Sequence, residues 1–134
     1  MSYRAINAPA GSQVPEPPPQ TWSNLKVHKN GHFHVAGMVA DGASTYDQAR
    51  QIFTDIRALI EAAGGVMNDV MVMQIFAIDL NDNREIWRAR REFFSGDFPC
   101  STLIQVMRVG SPQASPPHRL EINCSGYLGG SQPD

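Results

Sequence analysis

The sequence predicts an α+β domain, a mixed sheet with two helices packed on one of its faces. Three observations carry this. Apolar runs of strand length recur along the chain, and two other segments repeat apolar residues at helical spacing. They follow one another as hairpin, helix, strand, helix, strand, strand, an order that builds a sheet with helices on one side. The 134 residues, 42% hydrophobic and 18% charged, suffice for one core and leave little room for two.

Residues 1–22 read as a proline-rich, extended lead-in. Five of the ten prolines fall between positions 8 and 20, ending in Pro15-Glu16-Pro17-Pro18-Pro19. Such a stretch favours polyproline II and cannot join a central strand. The domain proper is expected over 23–127, with 128–134 (Gly129-Gly130-Ser131) as a flexible tail.

The domain opens on a hairpin. Leu25–Lys29 and His32–Ala36 flank Asn30-Gly31, a two-residue turn signal. That turn pairs Lys29 with His32 and Val27 with His34, placing Leu25 and Val27 on one face and Phe33 and Val35 on the other. A helix follows, capped by Ser44 or Thr45, with Ala49, Ile52, Phe53, Ile56, Leu59, Ile60 and Ala63 on its buried face. Arg50, Gln51, Thr54, Asp55, Arg57 and Glu61 lie on the wet side, and Gly64-Gly65 ends it. Residues 70–78 (Val-Met-Val-Met-Gln-Ile-Phe-Ala-Ile) make a near-continuous apolar strand. Asp79-Leu80-Asn81-Asp82 breaks it and caps a second helix running to Phe94. Strands are expected over 101–108 and 118–125. Strands apolar on both faces need cover on both, and two helices cover only one. A second copy of the chain is the simplest cover for the other, which predicts a homo-oligomer packed through its sheets.

Eleven basic against thirteen acidic residues give a net charge of −2, which argues against a nucleic-acid partner or an anionic membrane. No apolar run reaches membrane-span length, and Met1–Ala5 lacks a signal-peptide core. Cys100 and Cys124 do not make a disulfide framework, so the expected setting is the cytoplasm. His32 and His34 alternate on one strand face, but no third ligand has the spacing to complete a metal site. No phosphate loop or other cofactor motif is present, and no cofactor is expected.

From Gln48 onward the sequence resembles the reactive intermediate deaminase (Rid) family, also called YjgF. The stretches that carry the resemblance are Gln48-Ala49-Arg50-Gln51, Glu61-Ala62-Ala63-Gly64 and Asp69-Val70, then Phe76 to Asp82, Phe93-Phe94 and Phe98-Pro99. Ser101 to Val106, Leu120-Glu121-Ile122 and the glycine of His34-Val35-Ala36-Gly37 complete them. Their joint order is the specific signal. The resemblance implies a chorismate-mutase-like fold and a homotrimer with a central barrel, helices outside and clefts at the subunit interfaces. It also implies hydrolysis of small reactive imines and enamines, with an arginine after Pro-Ala gripping the substrate carboxylate and a glutamate near the last strand placing water.

Against that pattern the chain departs at several positions. Pro99-Cys100-Ser101-Thr102 stands where the family reads Pro-Ala-Arg-Ser, so Ser101 takes the arginine's place. Serine cannot supply a bidentate carboxylate clamp. Ala36 replaces the serine before Gly37, Trp87 an asparagine and Arg90 a tyrosine, while Glu121 is retained. The candidate catalytic residue is Glu121, to position water. The candidate substrate-binding residues are Ser101, Cys100, Trp87, Gly37, Ala36 and Arg90. Cys100 reads as a small buried residue beside the pocket, and Trp87 as a flat wall for a conjugated ligand. Arg84, Arg88 and Arg91 read as a solvated helix stripe. The function expected is hydrolytic deamination of a small conjugated imine or enamine, such as an amino-muconate-type intermediate. A non-catalytic small-molecule binder is the alternative, and an endoribonuclease comes last.

Overall fold

The structure, a computed structural model, describes residues 3–111 and 113–134; the first two residues of the N-terminal segment lie outside them. Eight main elements follow in chain order: β1 (Tyr3–Ile6), β2 (Leu25–His28), β3 (His32–Met38), α1 (Thr45–Ala62), β4 (Val70–Ala77), α2 (Asn83–Arg90), β5 (Cys100–Gln105) and β6 (Leu120–Tyr127). Single 3-10 turns at Met67–Asp69 and Leu80–Asp82 lead into β4 and α2. The strands form one sheet in the order β1-β2-β3-β6-β4-β5. Only the β4–β5 pair is parallel, as the crossover through α2 requires. The expected α+β class and the order of elements from the hairpin onward are both present.

Helix α1 forms as its punctuation predicts. Ser44 adopts an extended cap conformation and its hydroxyl accepts from the Asp47 N–H (3.1 Å). All seven residues expected on its apolar face are buried, and Gly64, at φ +100°, turns the chain away. Asp55 is a correction. Expected in solvent, it is 3% exposed, and one carboxylate oxygen accepts from Gln51 Nε2 at 2.8 Å. Burial pushes its carboxyl above the ordinary value, against a smaller opposing effect of the Gln51 hydrogen bond.

The hairpin register is also corrected. Three residues, Lys29-Asn30-Gly31, separate β2 from β3, and Leu25 pairs with Val35, Val27 with Phe33. Gly31 supplies φ +96° after a turn closed by its N–H donating to the His28 carbonyl (2.8 Å). A one-residue shift moves every side chain to the other face. Leu25, Val27, Phe33 and Val35 consequently all lie on the core side, each under 5% exposed. The hairpin is therefore one-faced, and it no longer argues for a second covering layer. Strand β4 keeps some of that character, with Met71 58% exposed on the side away from the core.

Strand β1 was not expected. It pairs antiparallel with β2 and shields that edge, while Arg4 Nη2 donates to the Ala63 carbonyl (3.2 Å). The opposite edge, β5, is bare: five of its six residues are exposed and Leu103 is half-buried. Strands β5 and β6 begin and end within a few residues of the expected bounds. At the start of β6 the fully buried Gln48 decides the boundary: its amide donates to Gly42 and Pro117 carbonyls and accepts from the Arg119 N–H. Arg119 meanwhile pairs with Asp82 at 2.7 Å.

Asp69 holds the end of the chain. Its carboxylate accepts from the N–H groups of Val66, Gly129 and Ser131 and from the Ser131 hydroxyl. These bonds tie part of the expected flexible tail to the start of β4. Burial alone would raise the Asp69 carboxyl, but the hydrogen bonds from Ser131, Val66 and Gly129 outweigh it and hold it below the usual value. Its contribution to stability is thus present at neutral pH and is lost as pH falls through the folded-state value. Asp69→Ala is expected to cost about 2 kcal/mol at pH 7, read by urea unfolding, with the deficit shrinking in acid. Asp55→Asn should do the opposite. It removes a carboxylate that burial disfavours, raising Tm at pH 7, and the gain should vanish as pH falls far enough to protonate Asp55.

Candidate functional site

The site is best built from β3. Val35 and Met38 are both buried on the core side, yet they stand three positions apart, so a regular strand would put them on opposite faces. The strand solves this with a bulge: Val35 pairs with Cys124 and Met38 with Ile122, leaving Ala36 and Gly37 opposite the single residue Asn123. The Ala36 N–H donates sideways to the Asn24 carbonyl (2.8 Å).

Glu121 crosses this bulge. It pairs with Phe76 on β4, on the sheet face away from the helices, and its neighbours Leu120 and Ile122 are fully buried on the other. Its carboxylate lies against Gly37. A Cβ added there would fall 2.4 Å from Glu121 Oε2 and 2.9 Å from its carboxyl carbon. Any side chain at 37 must push the carboxylate aside, so the glycine is required by the close approach.

Ser101 and Arg90 form a second group. Ser101 pairs with Met73, whose side chain is buried on the helix face. Arg90, at the end of α2, reaches over both: its Nη1 donates to Ser101 Oγ (2.8 Å) and lies 3.6 Å from Met73 Sδ. Burial, with a smaller contribution from the Arg91 charge, lowers the Arg90 guanidinium from its ordinary value. Trp87, one turn earlier on α2, is 42% exposed.

The two groups do not meet within one chain. Glu121 is aligned three residues along the sheet from Ser101, two strands away and on the opposite face. Pleat geometry puts their backbones roughly 14 Å apart. Glu121, Gly37 and Ala36 make one half, Ser101, Arg90 and Trp87 the other.

Cys100 belongs to neither as expected. It is exposed, a correction to its reading as a small buried residue, because the β5 edge has no neighbour in the chain. It lines a cleft of about 570 Å³ with Met71, Phe98 and Tyr127 at the opposite end of the sheet from Glu121. Cys124 is core, its thiol pushed up to about 12 by burial. His32 stacks on Tyr127 with ring centroids 5.0 Å apart. Among the described residues no group of three or more His, Cys, Asp or Glu is placed to hold a metal ion. Of the expected arginine stripe, Arg88 stacks 3.6 Å over the Tyr46 ring, and Arg84 and Arg91 are exposed. Sequence reasoning missed the Gln48–Arg119–Asp82 network. Its signal was available in Gln48, a polar residue on the apolar side of a helix.

Comparison with known proteins bears on the fold and the family. The family described as Endoribonuclease L-PSP matches residues 13–126. A 2-iminobutanoate/2-iminopropanoate deaminase of Dermatophagoides farinae is 38% identical over 63 residues, 47% of this chain and 49% of that protein. A RutC family protein of Pyrococcus horikoshii is 33% identical over 63 residues, 47% of this chain and 50% of that protein. The matched region thus spans about half the length of these curated relatives. Among solved structures, a Pseudomonas aeruginosa protein of unknown function is 28% identical with a TM-score of 0.81, covering 96% of this chain and 94% of that one. RidA from Psychrobacter shares the fold at 24% identity and a TM-score of 0.74, covering 96% and 99% of the two chains. With the profile covering most of its length, the chain belongs to the Endoribonuclease L-PSP family, the YjgF/Rid family that its motifs resemble.

Proposed function

We propose that the protein hydrolyses a small conjugated imine or enamine, of amino-muconate type or a similar catabolic intermediate, releasing ammonia and leaving a carbonyl. The observation that carries this is the Glu121 carboxylate, held on the sheet face away from the helices and packed against Gly37. The imine carbon is already electrophilic. Placing water against it and passing the two protons of that water to nitrogen suffices, one as water adds and one as the carbinolamine collapses: C=NH plus H2O becomes C=O plus NH3. The deaminase among the relatives supports the reaction class.

Because the two half-sites lie apart on one chain, the reading requires a second copy to bring them together. The bare β5 edge and the exposed Met71 and Ile104 beside it supply a surface for that contact. We therefore read the working form as a cytoplasmic homotrimer with clefts between subunits, in which Trp87 shapes a wall. No helix among the described residues is long and apolar enough to cross a membrane. The replacement of the family's arginine by Ser101 favours the second reading, a binding module without turnover. A ribonuclease reading has less behind it, since the net charge of −2 offers no basic excess for phosphate.

Ammonia release from 2-iminopropionate and from an amino-muconate-type substrate tests the reaction. Glu121→Gln is expected to lower kcat about 100-fold or more with little change in KM. Saturable binding with no ammonia from any imine would replace the hydrolase with the binding module. Gly37→Ala should fold, because only the mobile end of Glu121 has to shift, yet lose activity nearly as far as Glu121→Gln. Sedimentation at micromolar concentration should show a species three times the 14.7 kDa chain; a 14.7 kDa species alone would remove the interface cleft.

A further inference from the structure

Arg90 is held in a way that its fold does not explain. Its guanidinium is half-buried between α2 and the β4–β5 pair, fixed by Ser101 Oγ at 2.8 Å and lying 3.6 Å from Met73 Sδ. Ion pairs among the described residues are Arg50–Glu92 and Arg119–Asp82, with His118 hydrogen-bonded to Asp41, and Arg90 is in none of these contacts. The charge that acts on it from alongside is another cation, Arg91. Partial burial of a cation without a counter-ion costs free energy, and the cost is recovered when an anion binds.

The donor geometry points the same way. A guanidinium has five N–H groups, and both contacts here use Nη1 alone. No buried side-chain nitrogen or oxygen among the described residues lacks a partner, so the remaining N–H groups of Arg90 reach solvent. They form a planar fork whose spacing matches the two oxygens of a carboxylate. Ser101 explains why the fork can be there. A long side chain at 101 would take the space that Nη1 occupies, whereas the hydroxyl is short and accepts from it. Trp87, one turn away and exposed, offers a flat face for the rest of a conjugated ligand.

We propose that Arg90 is the anion-binding residue of the β5-edge half-site, positioned by Ser101, and that it takes the carboxylate of a small 2-imino or 2-oxo acid. This rests on the hydrolase reading for the reaction and adds the group that selects the substrate. A single fork fits one carboxylate, whereas a phosphate dianion calls for more than one cation.

The test is titration of the full chain with pyruvate, its uncharged analogue pyruvamide and inorganic phosphate, followed by calorimetry. The native protein should bind pyruvate at least 10-fold more tightly than pyruvamide or phosphate. Arg90→Ala should weaken pyruvate roughly 10- to 100-fold and leave pyruvamide unchanged. Arg90→Lys, which keeps the charge and loses the fork, should fall between and serves if the alanine variant does not fold. Ser101→Ala should weaken pyruvate several-fold, with Ser101→Thr restoring it, as a positioning hydroxyl requires. Equal affinity for pyruvate and pyruvamide, no binding of either, tighter phosphate binding, or pyruvate affinity surviving Arg90→Lys and Arg90→Ala would each overturn the proposal. Arg90-dependent pyruvate binding without ammonia release from any imine would uphold it while removing the hydrolase reading.

Discussion

Strand β3 has to turn Phe33, Val35 and Met38 toward the helices, and these positions do not share a parity. A strand that alternates without fault would leave Met38 on the outer face. The bulge at Ala36-Gly37 absorbs the extra residue, keeps the apolar side continuous, and at the same point thins the outer face to bare backbone. Into that gap comes the Glu121 carboxylate from β6. Core packing and the placement of the candidate catalytic group are therefore one solution to one constraint.

The two faces of the sheet carry different duties. Toward the helices, Leu25, Phe33, Ile52, Phe53, Ile75 and Ile122 close a dry core whose burial supplies most of the stabilisation. Among the described residues no buried side-chain nitrogen or oxygen lacks a hydrogen-bond partner. Gln48 joins three backbone segments, and Asp69 gathers donors from the chain end. The outer face is mixed, with Gln74 and Asn123 bonded to one another at 3.3 Å beside exposed Met71 and Ile104. That mixture suits a surface that meets another protein surface and encloses polar clefts, and it explains why the edge strand β5 stays uncovered within one chain.

Much of the fold was legible in residue patterns. Helix α1 announced its cap, its buried stripe and its glycine stop, because a helix bonds to itself and its period survives in one dimension. Strand β4 was equally plain. The hairpin was not: Asn30-Gly31 suits a two-residue turn, and only pairing across the sheet selects the three-residue loop that puts four apolar residues on one side. Asp55 misled for a similar reason. Its place on the helix wheel is polar, and the N-terminal segment that packs beside it is irregular, with no period to read. Strand β1, four residues long, carried too short a pattern to stand out from the proline-rich stretch behind it.

The candidate site divides along the same line. Sequence by itself determined the α+β class, the family resemblance, Glu121 with Gly37 as a retained pair of positions, and the absence of an arginine at 101. It could do so because those facts are residue identities in a fixed order. Tertiary structure decided that Glu121 rests on Gly37 through a bulge, that Ser101 faces the helices and holds Arg90, and that Cys100 is exposed on a bare edge. Each of these depends on strand register and on which face a neighbour covers. Both are settled by contacts between residues far apart in the chain, where a shift of one position reverses every side chain.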